Sequence, residues 1–392
     1  VRLCFVVQRF GVEVTGGAET HCRWLARRLA RDFEVEVVTT CALDYATWAN
    51  HYPPGAQLVD GFKVTRYPVA RPRSPRDFAF YSDVVFRDRC TRVDELRWIE
   101  ENGPLTPALV AALPGMRHVE LFVFYSYRYY TAFHGLPAVA GRAVLVPTAE
   151  DDPAIRLPVF RDLFRRPRGL LYLTPEERDL VREVSGNGFL PFAVVGSGVE
   201  VAPGWQATDV RRRFSLPPRY LLYVGRIDRG KGVDTLFDYY RSLADTWPET
   251  PLLVLAGRAL IDIPAHPGIR HVGEVSEVEK FALIGGCELL VLPSLYESLS
   301  IAVLEAWALG KPVLANGECR VLEGQCLRSN GGLAYRKYAE FAPALRLLAE
   351  RPGLREAMGR AGRAYVEREY NWDTVEGHAR AFLQALTPKP PV

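Results

Sequence analysis

Short apolar runs alternate with helical patterns along almost the whole chain, and this alternation narrows the possible folds more than any other feature. Leu3–Val7, Glu34–Thr40, Phe62–Tyr67, Val119–Phe124, Ala143–Val146, Leu170–Leu173 and Phe192–Val195 read as strands, with helices such as Ala18–Ala30 and Pro175–Val184 between them. A second set follows, with strands at Tyr220–Val224, Leu252–Ala256, Ile269–Val272, Leu289–Leu292 and Pro312–Ala315. Its helices fall at Val233–Ala244, Glu277–Ile284 and Ile301–Leu309, and three more helical patterns close the chain around 338–349, 353–368 and 372–386. Run-like strands separated by helices build mostly parallel sheets covered on both faces. The fold class is α/β, doubly wound. The irregular stretches 41–60 and 68–80 are predicted to be surface excursions.

At roughly 150 residues per domain, 392 residues suggest two or three domains, and the two alternating sets favour two. Periodicity lapses over Gly196–Pro203. The expected division is a first domain at 1–195, a linker at 196–205 and a second domain at 206–370. The closing segment 371–392 is expected to be a helix crossing back to the first domain, with Thr387–Val392 frayed. Open α/β sheets bind ligands beyond the carboxyl ends of their strands, so two in series predict a central cleft. Fold alone assigns no function.

Apolar residues at 48% and charged residues at 24% describe an ordinary globular protein. Forty-nine basic against 46 acidic residues leave a charge of only +3, which argues against a nucleic-acid partner. Only six basic residues are lysines, so a lysine-built site has few candidates. The seven cysteines include no C-x-x-C, and Cys319 and Cys326 have no histidine nearby, so they read as reduced thiols of a cytosolic protein and not as a zinc site. The apolar run before Gln8 is too short for a signal-peptide core, and no apolar stretch reaches the ~18 residues of a membrane span. The expectation is a cytoplasmic protein whose membrane contact, if any, is peripheral and at the inner face. The arginine-rich Arg71–Arg76 and Arg161–Arg168 fit either solvated faces or contacts with a lipid-linked acceptor at an anionic surface.

Two segments carry chemistry. In Tyr223-Val224-Gly225-Arg226-Ile227-Asp228-Arg229-Gly230-Lys231-Gly232 a strand runs out into a glycine, and Arg226 and Lys231 stand at the entrance to a helix. Two cations beside a helix N-terminus suit a diphosphate, although in a surface turn they could equally be solvated charges. Neither a Walker loop nor G-x-G-x-x-G is present. In the second segment, Pro293-Ser294 ends a strand, and Glu297 and Glu305 follow as an E-x7-E pair, one before a helix and one inside it. A glutamate near a helix N-terminus is stabilised by the dipole in any case. Glu305, among Ile301, Val303, Leu304, Ala306 and Trp307, requires a specific partner. Two carboxylates spaced along a pocket wall suit a ligand with several hydroxyls.

Gly225-Arg226 with Lys231-Gly232, Pro293-Ser294, Glu297 and Glu305, and Gly310-Lys311-Pro312-Val313 together resemble the retaining GT-B glycosyltransferases of family 4. The likeness is strongest over 220–316 and extends more weakly to Gly16-Gly17-Ala18-Glu19. It implies two Rossmann-like domains facing a cleft, and transfer of a sugar from a nucleotide-diphosphate donor, UDP- or GDP-linked, to a glycan or lipid-linked acceptor. It further implies that Arg226 and Lys231 hold the diphosphate, Glu305 binds the ribose and Glu297 a hydroxyl of the transferred sugar. Backbone N–H groups near Leu299 and Ser300 would approach the phosphate and sugar, and the base would lie near Gly257 and Val272–Val275. Gly16 and Gly17 would let the first loop approach the donor; they could equally be a plain turn with Glu19 as a first-turn acid.

Two positions depart from that pattern. Ser300 stands where relatives usually have a glycine, and Glu150 stands where they usually have a histidine near the anomeric carbon. His118 and His134 read as structural. The family's mechanism is front-face attack, with Arg226 and Lys231 stabilising the leaving charge and the departing phosphate taking the acceptor proton. No D-x-D occurs in the chain, so neither a metal nor a cofactor is expected. A nucleotide-sugar epimerase or phosphorylase, or a donor-binding but inactive partner motivated by Glu150, are the competing readings.

Overall fold

The computed structural model describes residues 1–87 and 90–387. The chain forms two compact units, one of Val1–Gly196 joined by the chain from Glu376 onward, the other of Ser197–Val375.

The first unit is built on strands β1 (Arg2–Val6), β2 (Glu34–Thr40), β3 (Gly55–Val59), β4 (Phe62–Tyr67), β5 (Leu121–Tyr125), β6 (Ala143–Val146), β7 (Gly169–Tyr172) and β8 (Phe192–Val194). They lie in the order β3-β4-β2-β1-β5-β6-β7-β8, parallel throughout except for β3 against β4. Every residue of β5 and β6 is buried, as their unbroken apolar sequences require. Cys4, Val6, Phe122, Phe124 and Leu145 point into one core, closed by Leu136, Phe160 and Val181 from covering helices. Phe382 and Leu386 of the last helix, Trp372–Leu386, pack against Gly169, where a Cβ would lie 2.7 and 2.8 Å from them. Arg380 of the same helix pairs with Asp32 at 2.8 Å.

The second unit has six parallel strands, β9 (Tyr220–Val224), β10 (Leu252–Ala256), β11 (Ile269–Gly273), β12 (Leu289–Leu292), β13 (Val313–Asn316) and β14 (Gly332–Tyr335), ordered β11-β10-β9-β12-β13-β14. Leu221, Tyr223, Leu253, Leu255 and Val291 pack against Leu236, Phe237 and Tyr240 of helix Val233–Thr246 and Phe341, Leu345 and Leu348 of helix Tyr338–Glu350. Each fully buried side chain of this size contributes about 1.5–3 kcal/mol. In each sheet the chain reverses its direction of travel once, between β1 and β5 and between β9 and β12, and such switch points open the crevices where α/β sheets bind ligands.

Both expected irregular stretches run into regular structure at their C-terminal ends. Within 41–60, Gly55–Val59 pairs with β4 as a hairpin whose two-residue turn, Asp60-Gly61, has φ of 51° and 84°. Both positive φ values are the signature of a type I′ turn, for which Asp-Gly is a preferred pair. Within 68–80, Ser74 caps the helix Pro75–Val85 by accepting from the Asp77 amide, with Pro75 at the first helical position. Helix Arg320–Ser329 and strand β14 were also not anticipated. The frayed end expected at Thr387–Val392 lies, from residue 388, outside the described residues. All seven cysteines are free, six of them buried. Among the described residues no helix is long and apolar enough to cross a membrane, and no cluster of three or more His, Cys, Asp or Glu could hold a metal.

Candidate functional site

Glycines stitch together the strand ends that open the site in the second unit. Gly257 has φ 136°, and a Cβ there would collide with the carbonyl of Gly225. The Gly225 amide donates to Ala256 O at 3.0 Å and the Gly257 amide to Gly273 O at 2.8 Å, while His271 Nε2 donates to Gly257 O at 2.7 Å. These bonds carry β9, β10 and β11 to one rim, beside the half-buried Val272 and Val275.

Beyond Gly225 the chain turns through Asp228, which accepts from the Lys231 amide at 2.8 Å and lies 3.5 Å from Arg226 Nε. Arg226 is half exposed. Gly232, with φ 68°, opens helix Val233–Thr246, and a Cβ on it would sit 2.5 Å from Pro293 O. This close approach seats the β9 loop on the β12 loop. Lys231 Nζ reaches Glu297 Oε1 at 2.8 Å, so the expected diphosphate ligand and the expected sugar ligand form an ion pair. Burial first, then the charges of Glu297 and Asp228, push the Tyr223 phenol far up, and its hydroxyl donates to Arg226 O at 2.5 Å.

After β12, Ser294 is buried and Leu299 and Ser300 lead into helix Ile301–Ala308. Ser300 makes no side-chain cap to that helix. Glu305 is buried, and its partner is Lys280, whose Nζ lies 2.7 Å from Glu305 Oε1 and 2.8 Å from Glu277 Oε2. Burial raises the Glu305 carboxyl and Lys280 counters it; burial opposes the Lys280 charge, and Glu305 and Glu277 overcome that opposition. The sequence required a partner for Glu305 but did not identify Lys280. Its signal is slight, since Lys280 stands between Glu277-Val278-Glu279 and the apolar run Phe281-Ala282-Leu283-Ile284.

The sequence-derived residues of the second unit thus lie at or just beyond the carboxyl ends of its strands, namely Gly225, Arg226, Lys231, Gly257, Val272, Val275, Glu297, Leu299 and Ser300, with Glu305 buried inside the helix that follows β12. Gly16, Gly17 and Glu150 lie on the corresponding rim of the first unit, after β1 and β6. Gly16 has φ 154°, and a Cβ there would meet the Glu19 carboxylate. Glu19 is the buried partner of Arg9, at 2.6 Å, and not merely a first-turn acid. Arg9 also donates to Leu43 O and Thr15 O, which shapes the glycine loop.

Glu150 sits half-buried in a dense polar cluster that sequence reasoning missed. Arg128, just after β5, pairs with Asp152, and its Nε has no hydrogen-bond partner among the described residues. Burial works against the Arg128 charge, but Tyr127, Asp152 and Glu150 outweigh it. Glu177 is buried beside them, accepting from Ala149 N at 2.6 Å and Leu173 N at 2.5 Å, and burial still pushes its carboxyl up to about 8. His118 pairs with Glu36 at 2.6 Å, and the His134 ring lies tilted against Tyr130 with centroids 4.4 Å apart.

Residues 208–365 match the family model described as glycosyl transferases group 1. Glycogen synthase of Mycobacterium tuberculosis is 26% identical over 98% of this chain and 95% of that protein. Among solved structures, sucrose-phosphate synthase from Thermosynechococcus elongatus aligns over 98% of both chains with a TM-score of 0.70 at 16% identity. HepE from Anabaena, solved with UDP, aligns over 98% of this chain and 100% of that one with a TM-score of 0.68 at 15% identity. These likenesses define the class as GT-B, two parallel-sheet α/β domains. The chain is a glycosyltransferase whose residues 208–365 match the group 1 model.

Proposed function

We propose that this enzyme is a retaining, family 4 transferase that moves a sugar from a nucleotide-diphosphate donor, UDP- or GDP-linked, to a glycan or lipid-linked acceptor without a metal. One observation carries the reading: Arg226 and the Lys231–Glu297 pair stand at the β9/β12 switch point, and buried Glu305 follows two turns along. Solvent reaches the cations, so a diphosphate can replace the carboxylate on Lys231 while a sugar hydroxyl takes up Glu297. HepE, of the same fold, was solved with UDP and with UDP-glucose, which supports a nucleotide-sugar donor. Front-face transfer then asks of the protein mainly a fixed positive field at the leaving diphosphate. Absence of D-x-D from the sequence supports metal independence.

Residence in the cytoplasm, with peripheral contact at the inner membrane face, belongs to the same proposal. Exposed Phe189 and Phe192 lie 5.4 Å from the Arg165 guanidinium and 4.2 Å from that of Arg182, which supplies aromatic and cationic groups for an anionic surface. The test is a panel of nucleotide sugars scored by nucleoside-diphosphate release, with and without glycan and lipid acceptors, with EDTA and with product anomers read by NMR. Acceptor-dependent release with retained configuration, unaffected by EDTA, is expected. Donor binding with no turnover on any acceptor, or conversion of donor without release, contradicts it.

A further inference from the structure

Lys280 belongs to none of the motifs above, yet it holds the carboxylate that the proposed function assigns to the ribose. The chain has six lysines, and two of them sit on the E-x7-E pair, Lys231 on Glu297 and Lys280 on Glu305. The Lys280–Glu305 pair is the more deeply enclosed, with side-chain exposures of 15% and 4%. A guanidinium commonly engages both oxygens of a carboxylate, whereas an ammonium is a point charge that takes one. Lys280 is on Oε1. A carboxylate offers about four acceptor positions, so a vicinal diol can still bond to it.

We propose that Lys280 is a positioning residue for nucleotide recognition: paired through one oxygen, it keeps Glu305 ionised and presented to the ribose hydroxyls of the donor. This rests on the reading of Glu305 as the ribose ligand. The charges acting on Glu305 are Lys280 and Glu277, both on helix Glu277–Gly286, and Glu277 opposes ionisation. Helix Pro352–Glu369 meets helix Ile301–Ala308 through Gly359, Gly362 and Tyr365 against Gly310 and Trp307. Lys280 is therefore the one cation acting on that carboxylate among the described residues. Without it, a carboxyl already raised by burial rises further toward its neutral form.

The experiment is calorimetric titration of the full chain with UDP, GDP and ADP, read on whichever the wild type binds most tightly, from pH 6 to pH 8.5. The quantity is the ratio of wild-type to variant affinity at each pH, which cancels titration of the nucleotide itself. Lys280→Met is expected to bind about tenfold more weakly at pH 6 and to recover as pH rises and Glu305 ionises. Lys280→Met/Glu305→Gln, a neutral pair that folds even if the single variant does not, is expected to bind no more weakly than Glu305→Gln alone and to show no such recovery. A Lys280→Met ratio near one at pH 6, or a loss that is the same at every pH, overturns the positioning role. Unchanged affinity in Glu305→Gln overturns instead the assignment of Glu305 to the ribose.

Discussion

In the second unit the edge between β9 and β12 presents lysines paired with carboxylates, where solvent reaches Lys231 and Glu297. In the first, the matching edge between β1 and β5 ties its arginines into the protein itself. Arg9 is spent on Glu19 and two backbone carbonyls, Arg73 on Asn102, and Arg128 on Asp152. The rings of Tyr45, Trp48 and Tyr129 crowd around Arg9 and Arg73. Breaking a buried ion pair of the Arg9–Glu19 kind costs about 3–5 kcal/mol, so those groups hold loops in shape. The Lys231–Glu297 pair, 24% and 12% exposed against 7% for both members of Arg9–Glu19, is less enclosed, so exchanging it for a diphosphate and a hydroxyl costs less. One topology thus carries two electrostatic designs, one exchangeable and one fixed.

The comparison breaks most visibly at Arg226 and Lys231. Arg226→Ala and Lys231→Ala are each expected to lower diphosphate release at saturating donor by a hundredfold or more, about 3–4 kcal/mol in the barrier, with melting unchanged. Near wild-type turnover in either variant removes the exchangeable design.

A second effect concerns the fixed region. His21 is buried, its Nε2 donating to Gly196 O at 2.8 Å and its Nδ1 accepting from Tyr125 at 3.0 Å, and burial lowers its pKa to about 4. An unfolded histidine near 6.5 binds a proton that the folded one refuses, so stability is full above pH 6.5 and is lost as pH falls toward 4. Between pH 6.5 and pH 5 the loss is about 1.6 kcal/mol. Urea melts of wild type and His21→Gln at the two pH values should show the larger acid loss in wild type; equal losses contradict it.

The carboxylates sharpen the contrast within the second unit. Glu305→Ala is expected to weaken the free nucleoside diphosphate about tenfold, about 1.4 kcal/mol, and Glu297→Ala to weaken only the intact donor. Calorimetry with both ligands separates them, and equal losses in both variants remove the division of labour.

The smallest expected effect is at Glu150. Glu150→Gln keeps the shape and removes the charge beside Arg128, and turnover should fall about fivefold, about 1 kcal/mol, with donor binding little changed. Glu150→His is expected to be at least partly active. Unchanged kinetics in Glu150→Gln would make this position a bystander.

The same contrast decides what could be read from the residues alone. β9, β10 and β12 coincide with their apolar runs because strands buried on both faces leave an unbroken signature. Edge strand β3, half exposed, leaves none, although the Asp60-Gly61 turn beside it was readable. Gly225, Arg226 and Lys231 fall in one short segment and Glu297 and Glu305 in another, each just after a strand at the switch point, so the spacing within each segment reveals them. Lys280 reaches Glu305 from another helix, and Arg128 and Glu177 approach the Glu150–Asp152 loop from two other segments. Only the folded sheet brings those together.

Hydrogen exchange tests the central claim most directly, because it reports where a donor lands without assuming which residues hold it. Titrated with the nucleotide sugar that the enzyme turns over, the amides of 225–232 and 293–302 should gain protection together, and Lys231→Ala should abolish that gain. Protection by the bound donor that spares both segments would contradict a donor site at the β9/β12 switch point.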